Sequence, residues 1–356
     1  MDYRQGAEDA KKCELAADLN PMRTDFAVWA PGFRLIFVFR DFLRGFRAFA
    51  VKCLTCYKPW TMAKTFTGSF PIGFRQGWSD WQKTLENVVA FAKGNGFEAI
   101  DLGDASAQQV RMVLSAGLGV GSVDLKKPWS ALASADGGKR KAAAAAAAEH
   151  IKSVAGLGVR NFFTVVFPEE DSRDRRQSFG FAVEGYALLA ESIRGSGARI
   201  VIEGYPGGYP YYPAFCATPE SLRAFFRETG SDVLAINFDP SHLIRMGIDP
   251  LRFLAEFGPR VGHVHAKDTE ILPEKVYEFG NLQPATLADV IPFGGHCWRY
   301  CIPGRGSAPW REMLSALKSG GYAGAVSVEL EDRDFNGSEE GEKRGLIGSR
   351  DFLLKA

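Results

Sequence analysis

From residue 62 onward the chain alternates two kinds of apolar spacing. Short runs rich in β-branched and aromatic residues are followed by longer stretches in which apolar positions recur every three or four residues. The first pattern reads as buried strand and the second as amphipathic helix, and their regular alternation reads as a βα repeat around a parallel sheet. Strands are predicted at 66–72, 97–102, 118–123, 160–167, 198–203, 233–238, 261–266 and 325–330. Helices are predicted at 81–93, 108–116, 139–155, 179–194, 220–229, 250–257 and 310–318. The alanine run at 142–148 fits a helix, because Ala is the best helix former. Several helices run into glycine pairs, such as Gly156 and Gly158 or Gly320 and Gly321, where a left-handed residue can release the chain into the next strand. Eight such units in about 290 residues predict a (β/α)₈ barrel. A doubly wound open sheet would advertise a glycine-rich phosphate turn after an early strand, whereas the turn after Leu102 reads GDAS.

The first 61 residues do not share this pattern. They hold 10 Lys+Arg against 7 Asp+Glu and none of the five His, so the chain's net charge of +1 conceals a basic head and a slightly acidic body. Arg40, Arg44 and Arg47 interrupt the aromatic stretch at 35–51 too often for a membrane span, which needs roughly 18 uninterrupted apolar residues. Asp2, Glu8, Asp9 and Glu14 stand where a secretory signal would be basic and then apolar. The reading places the protein in the cytoplasm, with no membrane partner. Cys53 and Cys56 form a CxxC, but no second pair follows at zinc-site spacing. Residues 1–61 are therefore expected to be an N-terminal extension, either a disordered appendage or an upstream stretch absent from a natural protein that starts at Met62. The functional barrel is assigned to 62–356. The near-zero charge also argues against nucleic acid, whose binding draws on clustered Lys and Arg.

Catalytic groups of a barrel sit at the C-terminal ends of its strands. In the second half those ends carry Glu203 (RIVIE), Asp239 (AINFD), His265 (VGHVH) and Glu329 (AVSVE). Glu203 to Asp239 spans 36 residues and Asp239 to His265 spans 26, each about one βα unit; His265 to Glu329 spans 64 because an insert at 269–309 intervenes. One such carboxylate is ordinarily a helix N-cap or a surface charge. Four donor groups on four successive strands are harder to dismiss, and three carboxylates with one imidazole would repel unless a divalent cation joined them. Oxygen and nitrogen donors suit one ion of Mn²⁺, Zn²⁺, Co²⁺ or Mg²⁺. Such an ion can chelate a carbonyl and its neighbouring hydroxyl and ease enediolate formation, while Glu203 and Glu329 act as acid and base on opposite sides of a sugar carbon.

The stretches NFDPSHLIRMGIDP, GHVHAKDTEI, PGRG…W and GYAGAVSVELED resemble the sugar phosphate isomerase/epimerase family, the xylose isomerase-like TIM barrels that include inosose dehydratases, ketose 3-epimerases and, more distantly, endonuclease IV-type nucleases. The resemblance covers roughly 65–355 and leaves the head without a counterpart. It implies Glu203, Asp239, His265 and Glu329 as metal ligands and Glu203 with Glu329 as the acid/base pair. It also implies that His242, three residues after Asp239, holds substrate hydroxyls, and that Arg299 is the nearest match to a substrate-contacting arginine. Lys267 shares the parity of His265 and could steady a substrate carboxylate or phosphate. His263 points inward one layer deeper, as a packed histidine or a ligand. Asp268 either orients His265 from behind the metal or caps the loop that follows. Gly304, Arg305 and Gly306 form a phosphate-binding loop or a plain turn.

The expectation is thus a metal-dependent isomerase or epimerase of a small sugar, sugar phosphate or cyclitol. An inosose dehydratase-like lyase could use the same residues. A phosphodiesterase of the repair-nuclease type would need more His and a basic surface, and a non-catalytic sugar-binding barrel would not need the full donor set. Barrels of this type also admit homo-oligomers.

Overall fold

The computed structural model describes residues 63–170 and 173–356; the head, with its CxxC, lies outside the described residues. Eight parallel strands close into a barrel, as the alternation predicts: β1 (Ile72–Arg75), β2 (Ala99–Leu102), β3 (Gly119–Asp124), β4 (Asn161–Thr164), β5 (Arg199–Glu203), β6 (Leu234–Phe238), β7 (Val261–Ala266) and β10 (Val326–Val328). Between β7 and β10 the insert forms an antiparallel hairpin, β8 (Asp268–Ile271) with β9 (Trp298–Cys301). The barrel strands bury both faces, one on the surrounding helices and one in the lumen, so they read as nearly continuous apolar runs. Polar residues inside such runs therefore point at something. Asp101, Asn237, His263 and His265 are all buried.

The predicted first strand is displaced. Gly68 and Ser69 have φ of 81° and 58°, in the left-handed region that ends extended structure, and the Thr65 N–H donates to Phe70 O at 2.9 Å across the tight turn. The strand starts only at Ile72, and its last residue is Arg75, which the shift carries to the mouth of the barrel. At the other end, β10 stops at Val328, leaving Glu329 as the first residue beyond the strand.

All seven predicted helices are present within a few residues, among them Gly137–Ala155, which is capped by the Asp136 carboxylate accepting from the Gly138 and Lys139 N–H groups. Sequence reasoning missed the helix Glu339–Leu353 because three glycines lower its propensity. Two of those glycines meet a packing need: a Cβ at Gly341 would stand 2.4 Å from Phe335 O, and one at Gly345 would stand 2.9 Å from Leu330 Cδ1. Ser338 caps this helix and Glu339, Glu340 and Glu342 favour its N-terminal dipole. Among the described residues no helix is long and apolar enough to cross a membrane.

Candidate active site

Glu203 closes β5, and its Oε1 accepts from Asn237 Nδ2 of β6 and lies against His265 Nδ1 of β7, each at 2.7 Å. Asp239 follows β6 and caps the short helix Pro240–Arg245, with Oδ1 accepting from the Ser241 N–H at 2.8 Å. Its other oxygen, Oδ2, is buried and has no hydrogen-bond partner. His242 stands one turn along the same helix, so its Nε2 faces Asp239 Oδ2 and Glu203 Oε2, both at 3.4 Å. Glu329 reaches in from β10, with Oε2 3.5 Å from His265 Nδ1. The donor atoms of Glu203, Asp239, His242 and Glu329 all lie within 4.8 Å of one another.

Cations on the protein answer this concentration of negative charge. Lys267 is 2% exposed, and its Nζ lies 2.6 Å from Glu329 Oε2, 2.9 Å from Glu331 Oε2 and 3.3 Å from Asp239 Oδ2. Arg75 forks onto Asp124 of β3 with two contacts of 2.9 Å and presents Nε to Glu329 Oε1 at 3.3 Å. Burial pushes the Glu329 carboxyl up, but the Lys267 ammonium, the His265 imidazole and Arg75 outweigh it and hold the group well below the ordinary carboxylate range. Burial and Glu329 likewise push Glu203 up, and His265 and His242 more than reverse it. Both carboxyls are thus shifted below their ordinary range.

Below the mouth, Asp101 of β2 continues the network. Its Oδ2 lies 2.7 Å from His263 Nε2 and 3.4 Å from His265 Nε2, and its Oδ1 accepts from Ser327 Oγ at 3.0 Å. His265 is therefore a bridge, with Nδ1 on the Glu203 and Glu329 carboxylates and Nε2 towards Asp101. A carboxylate behind an imidazole fixes ring orientation and raises basicity, which is how metal-facing histidines are held. Three carboxylates with imidazole, one carboxylate oxygen accepting no hydrogen bond, fit a divalent cation, and these residues form a donor set that could hold one.

The family model of the xylose isomerase-like TIM barrel matches residues 66–355. The chain belongs to that family. Among its curated relatives, the Bacillus subtilis (strain 168) protein YfiH is 35% identical over 136 residues, 38% of this chain and 40% of that one. An inosose dehydratase of Clostridium botulinum is 26% identical over 154 residues, 43% of this chain and 49% of the relative. The aligned stretches thus span less than half the length of these relatives. Among solved structures, D-psicose 3-epimerase superposes with a TM-score of 0.58 at 17% identity, covering 80% of this chain and all of that one. A xylose isomerase domain protein from Alicyclobacillus acidocaldarius superposes with a TM-score of 0.59 at 18% identity, covering 80% and 98%. At such identities the likeness is one of fold.

Within this barrel of the xylose isomerase-like family, two predicted residues sit elsewhere. Asp268 does not orient His265. Its Oδ1 accepts from the Thr269 and Ala308 N–H groups at 2.8 and 2.9 Å, and its Oδ2 from the Gly304 N–H and Trp310 Nε1, both at 3.1 Å. It staples the 304–308 loop, and since Gly304 gives its N–H to Asp268, that loop reads as a turn. Arg299 is not brought to the donor set either: Glu270, Asp332 and Asp334 hold its guanidinium at 2.6, 3.2 and 3.0 Å. Neighbours on a strand point to opposite faces, so where Arg299 of β9 turns away, Tyr300 turns in, and its hydroxyl lies 2.7 Å from His242 Nδ1. His263 is the packed histidine of the deeper layer, held by Asp101. Arg75, Asp101, Asp124, Tyr300 and Glu331 are the members of the site that sequence reasoning missed.

Proposed function

We propose that this protein is a divalent-metal-dependent isomerase or epimerase that moves a proton at a carbon next to a carbonyl in a small sugar, sugar phosphate or cyclitol. The observation that carries the reading is the placement of two carboxylates, the buried Glu203 of β5 and the half-buried Glu329 just beyond β10, on one imidazole nitrogen, His265 Nδ1, at 2.7 and 3.5 Å. When bound, a divalent ion would supply Lewis-acid polarisation of a carbonyl oxygen. Glu203, Asp239 and Glu329 would hold it together with an imidazole, which the fold offers from both His265 and His242.

The chain's own residues do the rest. Each of the two carboxylates can accept a proton from carbon, and the handedness of the substrate decides which of them begins. Lys267 neutralises Glu329 until substrate arrives and can hold a substrate oxygen afterwards. Asn237 fixes the rotamer of Glu203. Tyr300, buried, packs on His242, and Trp298 packs behind it on Arg245.

A second reading is an inosose dehydratase-like lyase, favoured by the relatives that bear that name. The same residues would begin it, and a β-hydroxyl would then leave. Incubation in D₂O with ketoses, their phosphates and inososes separates the two. Deuterium next to the carbonyl without loss of water marks the isomerase or epimerase, and loss of water marks the lyase. In either case Glu329→Gln should reduce turnover at least a hundredfold, in line with the loss of an acid/base group. Full activity in that variant would refute the pair.

A further inference from the structure

The insert between β7 and β10 reaches the site through Tyr300, whose ring lies 4.6 Å from Lys267 Nζ and whose hydroxyl meets His242. The hairpin β8–β9 is seated on the helix Pro240–Arg245: Thr269 Oγ1 donates to Ser241 O at 2.8 Å, and the Arg245 guanidinium lies 4.6 Å from the Trp298 ring and 5.4 Å from the Tyr300 ring. Tyr205 and Tyr212 complete an aromatic box around the same guanidinium at 5.4 and 5.6 Å. The box presses Tyr300 against His242, both side chains being buried, with Tyr300 Oη 2.7 Å from Nδ1.

Two independent arguments set the direction of that hydrogen bond. Among the described residues the Tyr300 hydroxyl has no partner other than His242. If Nδ1 carried the proton and donated to the phenol oxygen, the buried O–H would have no acceptor, an expensive arrangement. At the far side of the ring, Nε2 faces Glu203 Oε2 and Asp239 Oδ2, both at 3.4 Å. A lone pair there would be repelled by the carboxylates and an N–H attracted.

We propose that Tyr300 is a positioning residue whose hydroxyl donates to His242 Nδ1 and fixes the imidazole in its Nε2–H form. His242 then presents a hydrogen-bond donor beside Glu203 and Asp239. The proposal rests on the assigned acid/base reading only for its catalytic consequence.

The test is a two-bond ¹H–¹⁵N spectrum of the full chain, metal-free and labelled at its five His, with the His242 signal assigned by its loss in His242→Gln. The expected result is a protonated Nε2 and a bare, hydrogen-bonded Nδ1. Tyr300→Phe keeps the ring over Arg245 and Lys267 and removes only the hydroxyl. It should shift the Nδ1 resonance and lower the Nε2–H to Nδ1–H ratio by roughly tenfold, the worth of one hydrogen bond. A proton on Nδ1 in the parent protein, or on both nitrogens, would overturn the proposal, as would an unchanged spectrum in Tyr300→Phe. Should that variant not fold, the parent spectrum alone decides. No turnover is involved, so the predicted tautomer in a protein inert to every sugar would sink the assigned reaction and leave the role of Tyr300 standing.

Discussion

Asp239 divides its work between two oxygens. One caps a helix, as an aspartate after a strand ordinarily does, and the other is buried at the centre of the donor set without a hydrogen bond, 3.3 Å from Lys267 Nζ. The cap aims the second oxygen into the donor set. Asp101 acts one residue further back. Its charge faces both His263 and His265, so Asp101→Asn should weaken metal binding about 10–100-fold through loss of support for the His265 ring. Calorimetric titration of Mn²⁺ into stripped protein reads this directly, and an unchanged affinity would confine Asp101 to holding His263. Asp101 left a signal in the sequence: a charged residue in the middle of AIDL, a strand buried on both faces, must have a partner. Reading only strand ends passed over it.

At the level of elements, legibility follows the range of the interactions. Strands β5, β6, β7 and β10 stand out because apolar runs end abruptly in Glu, Asp, His and Glu, a purely local pattern. Arg75 was hidden by an error of a few residues, since two left-handed residues at 68 and 69 break what looks like one strand. Tyr300 had no local signal, because only the seating of the insert on the helix after β6 brings it to His242. The last helix was hidden by glycines whose purpose is contact with Leu330 and Phe335. Gly345→Val should accordingly cost about 1–3 kcal/mol through overpacking. Denaturant unfolding would register this as a lowered midpoint, whereas a midpoint equal to that of the parent would show that the interface yields freely.

On the scale of the whole molecule, the barrel gathers side chains from β1, β2, β3, β5, β6, β7 and β10 at one end of a closed sheet, and the helices outside bury the apolar face that keeps those strands in register. Like charges are tolerated at that end because two cations of the chain, Lys267 and Arg75, already lie among them, and one vertex, Asp239 Oδ2, accepts no hydrogen bond although Lys267 Nζ lies 3.3 Å away. The proposed function places a single divalent ion at that vertex. Its most direct test is Mn²⁺ titration of the metal-stripped full chain alongside Asp239→Asn. Close to one ion should bind per parent chain, and the variant should bind at least a hundredfold more weakly, beyond the loss expected of a supporting residue. No binding to the parent chain, or equal binding by the two proteins, would contradict it.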